Sequence, residues 1–211
     1  MTGVGDLHYG YRGGEPILEG LSAEFPAGAM TVVTGRSGRG KSTLLYLVGM
    51  LLTPWSGSVT VDGEDVAGLS DGARSWLRAT RVGFVFQDAA LDPSRTVLDN
   101  VCEGAIYARA DRRAATRHAL ELLDRFEVGL RADHRPGEVS GGQAQRVALC
   151  RALLMSPRVV LADEPTGNLD AHSAAVVLDA LGSAAHDGGA AVVIASHDPS
   201  VVERADHVLA L

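Results

Sequence analysis

What is scarce in these 211 residues narrows the field first. Cysteine occurs twice, at Cys102 and Cys150, in no CxxC or metal-like spacing. That leaves no disulfide framework or thiolate metal site to argue for, and both thiols read as core residues in a reducing compartment. Positive charge is in deficit. A net charge of −7 argues against nucleic acid as a partner, because sequence-independent binding rests on a positive field against phosphate. Long apolar runs are missing too. The longest, residues 44–52, is interrupted by Gly49 and falls far short of the ~20 residues that span a bilayer, so any membrane association is expected through a partner. The opening MTGVGDLHYGY carries an acid where a secretion signal is basic, and no apolar stretch follows, which makes a cytoplasmic location the expectation. Nothing repeats or thins into low complexity. With 46% hydrophobic and 21% charged residues, the chain has the composition of one globular domain with room for an insertion.

Against these absences stands GRSGRGKST, residues 35–43, a P-loop in the GxxxxGKS spacing. The apolar run 30–33 before it reads as a buried strand, and residues 43–52 after it as a helix. Gly35, Gly38 and Gly40 permit backbone angles that a side chain would obstruct, so N–H groups through Arg36, Ser37 and Thr43 can turn inward around nucleotide phosphates at a helix N-terminus. Lys41 adds a point charge at the β- and γ-phosphates. The Ser42 hydroxyl suits Mg²⁺, which prefers oxygen ligands shared between protein and phosphate. Arg39 brings a second guanidinium beside that of Arg36; it either meets the nucleotide's charge or points to water.

Before the loop, residues 4–11 and 17–25 read as an antiparallel edge pair, joined by the turn Arg12-Gly13-Gly14-Glu15-Pro16. Tyr11, or Tyr9, is positioned either to stack on an adenine ring or to pack on the sheet. Residues 58–63 and 81–86 read as strands, the second ending at Gln87, whose amide oxygen can ligate Mg²⁺ or position water. From 88 to 156 helical periodicity replaces the strand signals, marking the insertion. Within it Asp111 caps one helix, and Ser140-Gly141-Gly142-Gln143 opens a second, running to about Met155. That glycine-bearing helix start is a second anion site, beyond what one nucleotide needs. Residues 158–164 have the apolar run of a central parallel strand ending in two carboxylates. Asp163 suits the Mg²⁺ shell, and Glu164 is placed to polarise a water against the γ-phosphate. A turn at 165–170 then caps a helix reaching about Ala185, and the strand 190–195 delivers His197 to the sheet edge where parallel folds hold ligands.

In order along nearly the whole chain, these segments resemble the ATP-binding subunit of ABC transporters. GRSGRGKS resembles the Walker A motif, Gln87 the Q-loop, VSGGQ at 139–143 the signature motif, and residues 159–164 the Walker B segment. Residues 167–170, ending in Asp170, resemble the D-loop, and His197 the switch histidine. FVFQD, TVLDNV, PTGNLD and SHDP are similar to the lipoprotein-release, macrolide-efflux and cell-division branch. Val139 departs from the usual Leu, and Arg39 from the usual small residue.

The resemblance implies a RecA-like α/β P-loop NTPase core with an antiparallel β-subdomain, at about 1–87 and 157–211, and an inserted helical subdomain at about 88–156. It implies ATP and Mg²⁺ as cofactors, with Gln87, Glu164 and His197 catalytic and Ser42, Gln87 and Asp163 on the metal. It also implies a homodimer or paired ATPase in which each ATP lies between one Walker A turn and the opposite Ser140 to Gln143, at the inner face of the membrane on an integral-membrane permease subunit. An ATP-switched signalling subunit without transport is the alternative. The docking segment is expected at 88–101, with Leu91 and Val97 as exposed apolar residues beside Asp92 and Arg95. With the chain stopping at Leu211, the added C-terminal domain of sugar-importer ATPases is not expected.

Overall fold

The computed structural model describes residues 1–11 and 13–211; the Arg12 end of the expected 12–16 turn lies outside the described residues. The chain opens with β1 (Thr2–Tyr9), β2 (Leu18–Phe25) and β3 (Met30–Thr34), then α1 (Lys41–Val48). Strands β4 (Ser56–Val61) and β5 (Glu64–Asp65) follow, and α2 (Asp71–Arg81) leads into β6 (Val82–Val85). Four α-helices come next with no strand among the described residues: α3 (Val97–Val101), α4 (Glu103–Tyr107), α5 (Arg112–Arg125) and α6 (Gly141–Leu153). The chain closes with β7 (Val159–Asp163), α7 (Ala171–His186), β8 (Ala191–Ala195), α8 (Pro199–Val202) and β9 (His207–Ala210).

The strands sort into two sheets according to how their sequences can be buried. The smaller, β2-β1-β4-β5, is antiparallel. The β1–β2 pair is not simply its edge: β1 lies inside, laddered to β2 on one side and β4 on the other, with Val4 and Leu7 in the core. The larger, β6-β7-β8-β3-β9, is parallel throughout. Every residue of β7 (VVLAD) and β8 (AVVIA) is buried, as expected of strands covered on both faces. Because the strands run one way, the C-terminal ends of β3, β6, β7 and β8 open on a single edge, the side of such sheets that receives ligands.

Helix α1 joins the two sheets: Leu44, Leu45, Leu47 and Val48 enter one core with Val4, Leu7 and Phe25 of the small sheet and Leu161 and Val193 of the large one. Side chains of α5, α6 and α7 form a second core against the opposite face of the parallel sheet. Val97 belongs to that core and is fully buried, contrary to its reading as an exposed residue. Thr96 caps α3 by accepting from Asp99 N at 3.1 Å, and this turn sends the first helical side chain inward. Leu91 is half-buried against the same core.

Candidate nucleotide-binding site

A cavity of about 720 Å³ opens where the parallel strands end. The turn between β3 and α1 supplies Gly35 to Gly38 and Gly40 to Thr43; Gln87, Glu164, Gly167 and His197 come from beyond β6, β7 and β8, and Tyr11 closes one side. Gly38 and Gly40 have φ of +80° and +93°, in the left-handed region that favours glycine. A Cβ on Gly40 would also lie 2.8 Å from Ile17 Cγ2, so this position is closed by packing as well as by angle. Lys41, the one lysine in the sequence, starts α1 and donates from Nζ to the Gly35 carbonyl at 2.9 Å.

The carboxylates stand at the end of β7, with β8 between it and β3. Asp163 is buried, and both its oxygens are held: Ser42 Oγ donates to Oδ1 at 2.9 Å and Tyr46 Oη to Oδ2 at 3.3 Å. Burial pushes its carboxyl above the usual range, opposed by those two hydrogen bonds. Glu164 has φ +44°, unusual for a residue with a side chain, and its N–H donates to Ala195 O at 2.9 Å. Its side chain accepts from Ser196 Oγ at 3.3 Å, and Oε1 lies 2.8 Å from His197 Nδ1.

Gln87 is exposed, yet the backbone around it is gripped by α6. Gln145, 3% exposed, donates from Nε2 to Phe86 O at 3.0 Å and accepts from Ala89 N at 3.2 Å. Arg151 donates to Ala89 O at 2.8 Å and Ala90 O at 2.7 Å. Neither residue was anticipated from sequence, nor was Tyr46, although Tyr46 stands one helical turn beyond Ser42 on the same face of α1.

Of the other expected residues, Tyr11 lines the cavity and the rest do not. Tyr11 is just beyond the end of β1, half-exposed, with its ring edge-on to Tyr9 and its hydroxyl 3.4 Å from Thr43 Oγ1. Arg39 is exposed and does not line the cavity. Nor do Ser140 to Gln143 or Asp170. Ser140 caps α6 in a reciprocal pair, accepting from Gln143 N at 3.3 Å while Gln143 Oε1 accepts from Ser140 N at 3.0 Å. Asp170 caps α7 through hydrogen bonds from Ser173, which hold its carboxyl below the usual range. The two helix starts touch: a Cβ on Gly142 would meet Ser173 Oγ at 2.8 Å.

The site fits a polyphosphate and a hard cation. Around Gly38 no heavy atom lies within 4 Å of a built Cβ, so the turn faces open space, and Lys41 offers the balancing charge. Ser42, Asp163 and Gln87 are oxygen donors of the kind Mg²⁺ takes. No group of three or more His, Cys, Asp or Glu among the described residues could hold a metal.

Comparison with known families matches residues 18–167 to the ABC transporter family. The chain belongs to that family. It is an ATP-binding cassette, and its relatives place it more narrowly. The lipoprotein-releasing system ATP-binding protein LolD of Bordetella pertussis is 45% identical over 193 residues, covering 92% of this chain and 84% of that protein. LolD of Paramagnetospirillum magneticum is 43% identical over 92% of this chain and 85% of its own length. Among solved structures, the dimeric bacterial ABC transporter cassette MJ0796 superposes with a TM-score of 0.93 at 32% identity, covering all of this chain and 94% of its own. A second structure of MJ0796, a dimer in a post-hydrolysis state bound to ADP and Pi, gives the same values. In this cassette no helix among the described residues is long and apolar enough to cross a membrane.

Proposed function

We propose that this cassette hydrolyses ATP as one half of a paired ATPase that drives a membrane subunit of the lipoprotein-releasing type, at the inner face of the cell membrane. The observation that carries the hydrolytic reading is the carboxylate pair at the end of β7, with Asp163 bonded to the P-loop residue Ser42 and Glu164 beside His197. Glu164 takes a proton from the attacking water as its oxygen bonds to the γ-phosphorus and the β–γ bridging P–O bond breaks, releasing ADP and phosphate. Backbone N–H groups of residues 35–43 and the Lys41 ammonium stabilise the charge that develops on the phosphate oxygens. Ser42, Asp163 and Gln87 would hold Mg²⁺, which when bound neutralises phosphate charge. Ser140 to Gln143 and Asp170 line none of this cavity, which supports a role facing the nucleotide of the other half.

The helical segment at 88–156 acts as the helical subdomain, and the partner surface lies where it meets α2 and β6. In place of Val97, the surface on offer is a cavity of about 460 Å³ lined by Arg78, Phe86, Glu103, Tyr107 and Arg151 among others, beside exposed Trp76 and Ile106. Purified cassette assayed with and without its membrane subunit tests both halves of the reading. Turnover abolished in Glu164→Gln, and complex formation lost in Tyr107→Glu with Ile106→Glu, are expected. Undiminished turnover in the first, or an unchanged complex in the second, rejects the corresponding half.

A further inference from the structure

Tyr46 has no part in the cassette pattern, yet its hydroxyl completes the environment of Asp163. Ser42 and Tyr46 stand one turn apart on α1 and reach the two oxygens of one carboxylate, at 2.9 and 3.3 Å. The phenol ring is fixed from the other side. It lies 5.7 Å from the Phe84 ring and 6.5 Å from that of Phe86, and those two stack on each other at 4.2 Å. Phe86 directly precedes Gln87, so the ring packs between the strand end that bears Asp163 and the one that leads to Gln87. A side chain held by two aromatic neighbours loses little further freedom in donating a hydrogen bond, so its donor direction is set before any ligand arrives.

We propose that Tyr46 is a positioning residue for the divalent cation: its hydroxyl fixes Asp163 through Oδ2 so that Oδ1 stays directed at Ser42. The inference rests on the metal site proposed above. It assigns Tyr46 no contact with metal or nucleotide; its effect passes through the carboxylate.

The experiment is the affinity of the full chain for ADP by calorimetry, in excess Mg²⁺ and again in EDTA, for the wild type and Tyr46→Phe. Phenylalanine keeps the ring contacts and removes only the hydroxyl. Tyr46→Phe should bind metal-free ADP as the wild type does and lose about fivefold of the Mg²⁺ enhancement, the size of one ordinary intramolecular hydrogen bond. Direct Mn²⁺ titration of the ADP-bound protein, read by electron paramagnetic resonance, should show the same loss. An enhancement equal to wild type overturns the inference alone, and so does an equal fall with and without metal, which marks a merely structural role. A wild type whose ADP affinity ignores Mg²⁺ overturns the metal site itself and the inference with it.

Discussion

His197 Nδ1 lies 2.8 Å from Oε1 of Glu164, so residues just past two adjacent parallel strands meet in one imidazole–carboxylate contact. With Ser196 Oγ also donating to the carboxylate, the Glu164 side chain has a fixed direction. Glu164→Gln keeps the size of the side chain and loses its basicity. Turnover should fall by about 10²- to 10⁴-fold with ATP binding retained, and His197→Ala should lower turnover as well. A phosphate-release assay at saturating Mg²⁺ and ATP checks both.

The separation of the Ser140 helix start from the cavity of its own chain predicts ATP-dependent pairing. Glu164→Gln, unable to turn over, should sediment as a monomer without ATP and as a dimer with it. A monomer at every ATP concentration, with nucleotide binding intact, would count against the paired arrangement.

Gln145 satisfies one backbone acceptor and one donor on either side of Gln87 and Asp88. Gln145→Leu leaves Phe86 O and Ala89 N without those partners, at a cost of about 1–3 kcal/mol for a buried group left unpaired. Urea denaturation should show that loss as a lower midpoint. Turnover should fall further than stability explains, because the loop that presents Gln87 keeps only the Arg151 anchor on α6.

Arg39 is exposed and is not part of the cavity lining, so Arg39→Ser should change ATP affinity by less than about twofold, in low salt and high. A tenfold loss at low salt that shrinks as salt is added would show that the guanidinium reaches the nucleotide after all.

The two thiols should differ in reactivity. Burial pushes Cys150 up to about 12, and Cys102, only half-buried between α3 and α4, is raised less. A higher value leaves less thiolate at a given pH, and thiolate is the reactive form. At pH 8 a disulfide reagent should modify Cys102 first and reach Cys150 only on unfolding.

The cavity was legible in sequence where chemistry and local pattern coincide. The P-loop, the carboxylate pair after an unbroken apolar strand, and His197 after another each announce a strand end, and a parallel sheet gathers strand ends on one edge. Elements with little apolar content were not legible. Helix α2 buries only Leu77, and β9 is a short edge strand with one half-buried residue and three exposed ones, so each has too little apolar content to mark its place. Val97 misled because a buried first residue of a capped helix looks, in one dimension, like an apolar residue in a polar loop. Tyr46, Gln145 and Arg151 escaped for a different reason: each acts on a segment far away in the chain, and no local spacing encodes that.

Lys41 carries the only side-chain amine in the protein, and the P-loop places it. Acylation, carbamylation or reductive methylation of a lysine here can have only one address, and that address is the phosphate cradle. A single mass increment on Lys41 therefore records how often the turn stands open to solvent, and a nucleotide that shields the amine would be read directly as protection from the label.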